Sequence, residues 1–293
     1  MIEPLCREEA LCEELNYDVA GENACFLHHS LLMHDCVETG RPLLSGGVRY
    51  LCATSEIFGL ITCADSLTAI KTLVYDQKRF TLGQLVEMLD QNFDGFEQER
   101  RLLLDAPKYG NDDDEADGMA VRVFSHISQA HKEAGLLTRL HRYHIVSVNN
   151  SGSAERGALT AATPCGRKRS EPLSNGNSPS LGAEKSGLTS SLLSMAKIDP
   201  AQHAGVVHNV RFGKRMLREN VDAIQALLET FYENNGVQTN LSAIAADDLL
   251  KAMAHPEAYP NLIVRIGGFS ARFVELSPIV QHELVLRTTH EAW

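Results

Sequence analysis

No run of about 18 consecutive apolar residues occurs in this 293-residue sequence, so it offers no transmembrane helix. Its opening, MIEPLCREEALCEEL, lacks the basic start and apolar middle of a secretory signal. Both absences lead us to expect a cytoplasmic protein without a membrane partner. Positive charge is also scarce: 27 Lys and Arg face 38 Asp and Glu, a formal charge of −11. Non-specific nucleic-acid binding rests on cations neutralising phosphates, so nucleic acid is excluded as a partner. The seven cysteines (Cys6, Cys12, Cys25, Cys36, Cys52, Cys63 and Cys165) are odd in number and include no C-x-x-C pair. A zinc ribbon and a thioredoxin-like site are thereby excluded. In a reducing compartment each is expected to be a thiol acting as a small buried hydrophobe. Neither a dinucleotide fingerprint nor a phosphate loop is present, and the acidic run 111–117, NDDDEAD, lacks EF-hand spacing. What remains is globular: 44% hydrophobic and 22% charged, enough chain for one large or two ordinary domains.

Helical spacing marks 24–37, stopped by Gly40 and Pro42, and then 62–75, 81–90 with Thr81 as N-cap, and 117–134. The short β-branched run 144–148 reads as a buried strand. Residues 149–187 are rich in Gly, Ser, Asn and Pro, which fits either a linker or an ordered irregular stretch. Arg167, Lys168 and Arg169 within it are too few to form a nucleic-acid patch. Beyond it, 188–198, 217–235 and 245–256 read as helices, and 236–244 as a strand with its exit. In 261–276 a strand, Leu262, Ile263 and Val264, leads to a turn at Gly267 and Gly268. We expect that strand to be buried and the two glycines to supply positive φ. Strands alternating with helices indicate an α/β protein.

The run VRIGGFSARFVELSP, 264–278, resembles the glycine-radical motif of the glycyl radical enzymes, the pyruvate formate-lyase superfamily. Arg265, Ile266, Gly267, Gly268 and Phe269 stand where that motif has Arg, an aliphatic residue, a small residue, the radical Gly and an aromatic. The aromatic is usually Tyr, so Phe269 departs slightly. Only 25 residues follow Gly268, as the motif's C-terminal place requires. Further segments in the same order are similar to the family: HDCVETGRPLLSGGVRY (34–50), ADSLTAIKTLVYD (64–76), LDAPKYGNDDDEAD (104–117), the stretch 163–199 and HAGVVHNVRF (203–212). The resemblance favours the ordered reading of 149–187.

The resemblance implies a fold: the second half of a ten-stranded α/β barrel of the pyruvate formate-lyase type, with a C-terminal glycine-radical loop. Residues 1–160 would belong to the barrel and 161–293 to the glycine-radical domain. It also implies a chemistry. A Cα radical is stabilised when the flanking amide nitrogen and carbonyl are coplanar with it, and a Cβ crowds that plane. Gly268 would store the radical, with Arg265, Gly267 and Phe269 supporting the loop. It should lie away from water and oxygen. Alanine should be tolerated better at position 267, where the motif accepts a small residue. In the family the glycyl radical takes hydrogen from a cysteine, whose thiyl radical attacks the substrate, and a C–C, C–O, C–N or C–S bond breaks.

The family's cysteine loop lies upstream of the segment matched by 34–50. Cys6-Arg7-Glu8 has a superficially similar Cys-x-Glu, but its flanks do not match, so the thiyl residue is expected outside these residues. The chain is then either a catalytically incomplete fragment or spare-part subunit, or one half of an enzyme whose other chain supplies the cysteine. No cofactor or metal is implied in this part. A radical S-adenosylmethionine activating enzyme would install the radical, and the complete enzyme would be a homo-oligomer. Glu56, His208 and Asn209 are candidate substrate-cavity residues, Glu56 through an analogy with arylacetate decarboxylation. A lyase, dehydratase, decarboxylase or acyltransferase role stays open.

Overall fold

A computed structural model describes residues 2–287, 289 and 290. The chain packs as two compact units made of separated segments, 1–56 with 125–146 and 201–204, and 57–124 with 147–200 and 205–293. Seven short strands form one three-stranded and two two-stranded sheets among the described residues. No described helix is long and apolar enough to cross a membrane.

The first unit opens with the helix Ile2–Asn23, which periodicity does not reveal. Its large apolar side chains Leu5, Leu11, Leu15 and Val19 are exposed, while the small residues Cys6 and Ala10 face the core. There they meet Ala53, Ala130, Ala134, Leu140 and Tyr143. The helix expected over 24–37 is broken into Leu27–Leu32 and Cys36–Thr39. Met33 is extended and Asp35 left-handed, so the hydrogen-bond ladder cannot run through. The strand Arg142–Ser147 pairs in parallel with Cys52–Glu56, and His203–Val206 flanks its other edge.

In the second unit, Leu60–Ala69 continues as a π-helical turn, Ile70–Asp76. Thr81 caps Leu82–Asp90 as the sequence indicates, exchanging hydrogen bonds with Gln84 in a capping box. Leu85, Met88, Phe93 and Leu103 pack with Leu73 and Phe80 into one core. The acidic run ends at the start of the helix Asp114–Gly135. Lys197 Nζ sits among Asp112, Asp114 and the buried Asp117, so one cation answers the run.

The stretch 149–187 is ordered. Ser174 and Thr62 exchange backbone-to-hydroxyl hydrogen bonds, and Ser180 donates to the buried Asp65, which also accepts from the Tyr109 N–H. Arg167 is buried too and donates to the carbonyls of Thr160, Ala161 and Glu171, acting as a staple for the loop. The helix expected over 217–235 is two helices, Lys214–Glu219 and Val221–Glu233, separated at Asn220.

A further core gathers Leu249, Ala252, Val264, Ile266, Phe273, Val280 and Leu284. It seats the antiparallel hairpin Ile263–Arg265 and Ser270–Arg272 and the helix Pro278–Leu286, which the sequence reading misses. One expectation fails here: Ile263 is 52% exposed while Val264 is 3% exposed. The strand has a single buried face, and the period of two alternates its side chains across it. Val264→Asp should therefore cost about 3 kcal/mol or more, the scale for an uncompensated buried charge, whereas Ile263→Asp should cost less than about 1 kcal/mol. Chemical denaturation of the two variants checks the order; equal losses would contradict it.

Candidate functional site

The Gly267–Gly268 turn closes the hairpin between Ile263–Arg265 and Ser270–Arg272. The Ile266 N–H donates to the Phe269 carbonyl across it at 3.0 Å. Neither glycine has the left-handed φ that the sequence suggests. The need for glycine at 267 is space: a Cβ there would stand 2.7 Å from Asn150 Oδ1 and 3.3 Å from Asn150 Cα. At Gly268 the nearest such atom is 3.9 Å away. Gly267 is buried, but Gly268 and Phe269 are exposed, contrary to the expected seclusion of the radical residue. The cause is the hairpin's pose, which packs the turn through its Gly267 side alone.

Polar groups hold that packed side. Asn150 Oδ1 accepts from the Gly268 N–H at 3.1 Å, and Asn240 Nδ2 donates to the Gly267 carbonyl at 2.5 Å. Asn240 Nδ2 also reaches Asn209 Oδ1 at 3.4 Å, and Asn209 Nδ2 reaches Asn175 Oδ1 at 3.3 Å. Asn175 Nδ2 then donates to the Asn150 carbonyl at 2.9 Å. The bonds form a closed circuit through the turn. Asn150 takes φ 40°, a left-handed backbone that Asn tolerates better than most residues. Asn240 is buried and aligned by the parallel pairing of Asn209–Arg211 with Asn240–Ser242.

Charged groups hold the strand just before the turn. Arg287 donates to the Ile266 carbonyl at 2.8 Å and the Arg265 carbonyl at 3.4 Å. Its guanidinium is paired with the buried Glu283 at 2.9 and 3.0 Å. The buried Arg211 donates to the Leu284 and Val285 carbonyls. Burial, with the Arg287 charge beside it, brings Arg211 down to about 10. Asn175, Asn209, Asn240, Arg265, Glu283 and Arg287 all border a cavity of about 30 Å³. That is room for water and not for an organic substrate.

Of the sequence candidates, the structure brings together Arg265, Gly267, Gly268, Phe269 and Asn209. His208 turns away: it is buried edge-on against Phe231, 5.6 Å between ring centres, with Nε2 3.1 Å from Asn177 Nδ2. Glu56 ends the Cys52–Glu56 strand of the first unit with an exposed side chain. Cys6, also in the first unit, is buried 3.4 Å from His131 Nδ1, and burial beside Glu9 raises its thiol pKa. Sequence reasoning missed Asn150, Asn175, Asn240 and Arg287. The doublet Asn149-Asn150 directly after a strand was the available signal, since two consecutive left-handed residues favour Asn.

Sterics at the turn set a separate order for stability. Gly267→Ala should lower stability by about 1–2 kcal/mol, as overpacking does, and Gly268→Ala by no more than about 0.5 kcal/mol. Thermal unfolding of both variants measures this; a larger loss at 268 would refute the packing argument.

Comparison with known proteins bears on the same residues. The "Pyruvate formate lyase-like" family matches residues 10–151, and the "Glycine radical" family matches 173–274. Trans-4-hydroxy-L-proline dehydratase of Clostridioides difficile is 33% identical over 91% of this chain and 35% of its own length. Isethionate sulfite-lyase of Bilophila wadsworthia is 35% identical over 90% of this chain and 32% of its own. The glycerol-bound B12-independent glycerol dehydratase of Clostridium butyricum superposes with a TM-score of 0.92 at 29% identity, covering 99% of this chain and 37% of that one. The chain thus spans about a third of the length of these relatives. Its fold is that of part of a pyruvate formate-lyase-type barrel, with mixed α and β structure. By these matches across both segments, and by the glycine turn they include, the chain belongs to the glycyl radical enzyme family of the pyruvate formate-lyase type.

Proposed function

We propose that Gly268 stores a Cα radical for a glycyl radical lyase, and that these residues supply the radical-bearing part of that enzyme. The observation that carries the reading is the Gly267–Gly268 peptide, fixed at both its N–H and its C=O at the tip of the Arg265–Phe269 turn. Exposure of Gly268 suits access by a radical S-adenosylmethionine activating enzyme, which would remove one hydrogen atom from its Cα. Protection from oxygen then falls to polypeptide outside these residues, as does the thiyl cysteine, since the sequence flanking Cys6 does not match the family's cysteine loop. In this reading 1–160 is barrel and 161–293 is the glycine-radical domain.

For the reaction we favour elimination from a small hydroxylated or sulfonated substrate. Curated relatives named as dehydratases and sulfite-lyases are 30–35% identical to the chain, and the indoleacetate decarboxylase of Tractidigestivibacter scatoligenes is 29% identical. Glu56 gives the decarboxylase alternative no added support, because it shares no compact unit with Gly268.

Anaerobic treatment of the chain with an activating enzyme of this family and S-adenosylmethionine should give a doublet organic radical signal. The splitting comes from the single hydrogen left on the Gly268 Cα. Later admission of air should cut the backbone at Gly268 and release a piece of about 25 residues, seen by mass spectrometry. Gly268→Ala should abolish both signal and cut; cleavage at Gly267, or a radical persisting in Gly268→Ala, would refute the assignment.

A further inference from the structure

We propose that Asn150 and Asn240 are positioning residues that hold the Gly267–Gly268 peptide plane so that its nitrogen can share spin density with a radical on the Gly268 Cα. The proposal rests on the reading of Gly268 as the radical residue and adds the groups that prepare its backbone.

The Gly267 carbonyl and the Gly268 N–H belong to one planar amide. Radical stabilisation at the Gly268 Cα depends on the torsion between that plane and the radical's own plane. Glycine has the freest backbone of all residues, so an exposed Gly-Gly turn would sample many such torsions. Here both ends of the amide are taken. Asn240 Nδ2 donates to its oxygen at 2.5 Å, and Asn150 Oδ1 accepts from its N–H at 3.1 Å. Two bonds on opposite ends of one rigid plane fix its tilt as well as its place.

Neither asparagine is loose. The Asn150 carbonyl is held by Asn175 Nδ2 at 2.9 Å, and Asn240 Oδ1 accepts from Gln238 Nε2 at 2.8 Å. Asn209 links Asn175 to Asn240, closing the circuit. Asn175, Asn209 and Asn240 each both donate and accept, while Asn150 accepts at its carbonyl and at Oδ1, and such chains polarise one another in a low-dielectric surrounding. An exposed glycine is thus backed by a largely buried, mutually oriented polar layer.

The two positions have opposite requirements. Position 150 acts by accepting, so Asp can replace Asn there. Position 240 acts by donating, so Asp cannot. A merely structural pair would not divide in this way.

The experiment uses the full 293-residue chain in two arms. In the first, hydrogen exchange read by mass spectrometry follows the Gly268 amide without any activation. The wild-type amide should be protected despite its exposure. Asn150→Gly, which keeps the left-handed backbone while removing the acceptor, should exchange roughly tenfold faster, and Asn150→Asp should stay near wild type. In the second arm the chain is activated anaerobically with S-adenosylmethionine and a family activating enzyme, and the doublet's splitting and lifetime are recorded. Asn150→Gly, Asn240→Ala and Asn240→Asp should shorten the lifetime roughly fivefold and change the splitting, while Asn150→Asp restores both. Melting curves identify folded variants, and Asn240→Ala carries position 240 if Asn240→Asp unfolds. An unprotected Gly268 amide in wild type overturns the proposal. So does a lifetime and splitting unchanged in both Asn150→Gly and Asn240→Ala. A protected amide with no doublet in the wild-type chain overturns instead the glycine-radical reading on which the proposal stands.

Discussion

The Arg287–Glu283 ion pair is what the glycine turn hangs from. Strand pairing ends at Arg265 and Ser270, and past it the Ile266 N–H still bonds the Phe269 carbonyl. Arg287 donates to the Arg265 and Ile266 carbonyls from the end of the helix Pro278–Leu286. Burying a guanidinium is costly unless charge and geometry both compensate. Glu283 supplies the charge from one helical turn away, nearly wholly buried. Arg211 then occupies the last carbonyls of the same helix, where cations are favoured, and its lowered pKa records how dry the place is. The helix is thereby tied to both the turn and the Asn209–Arg211 strand. Without that anchor, the asparagine circuit would have no fixed peptide to grip.

Two kinds of support therefore meet at one turn. Charge holds the chain on the strand side, and neutral amides hold the Gly267–Gly268 peptide itself. The division would suit the proposed radical, because amide hydrogen bonds orient a plane without placing a full charge against the odd electron. The roughly water-sized cavity among these groups leaves no space for a substrate beneath the turn.

Much of this was legible in the residues, and what was not had physical causes. Thr81 with Gln84 was readable because a capping box is local. The turn was readable because Gly-Gly directly after the apolar run LIVRI marks the end of a strand. The reason for glycine was not readable: it is the approach of Asn150, more than a hundred residues away, and not a positive φ. The helix Ile2–Asn23 stayed hidden because it buries small residues and exposes its leucines, inverting the usual signal. The breaks at Asp35 and Asn220 interrupt runs whose apolar spacing continues through them. Ile263 was misplaced because three consecutive apolar residues look alike in a strand that has only one inner face. Arg287 and Asn240 gave no signal, since their roles exist only once strand, turn and helix have been assembled.

The core that seats the hairpin draws on both sides of Gly268. Val264 and Ile266 come before it; Phe273, Val280 and Leu284 come after. A break in the backbone at Gly268 therefore does more than remove one reactive residue. It severs one strand of the hairpin from the other, and it separates Arg287 from the carbonyls it holds by anything but noncovalent contact. If Gly268 bears the proposed radical, oxidative cleavage there would divide this core between two pieces as well as destroy the radical residue.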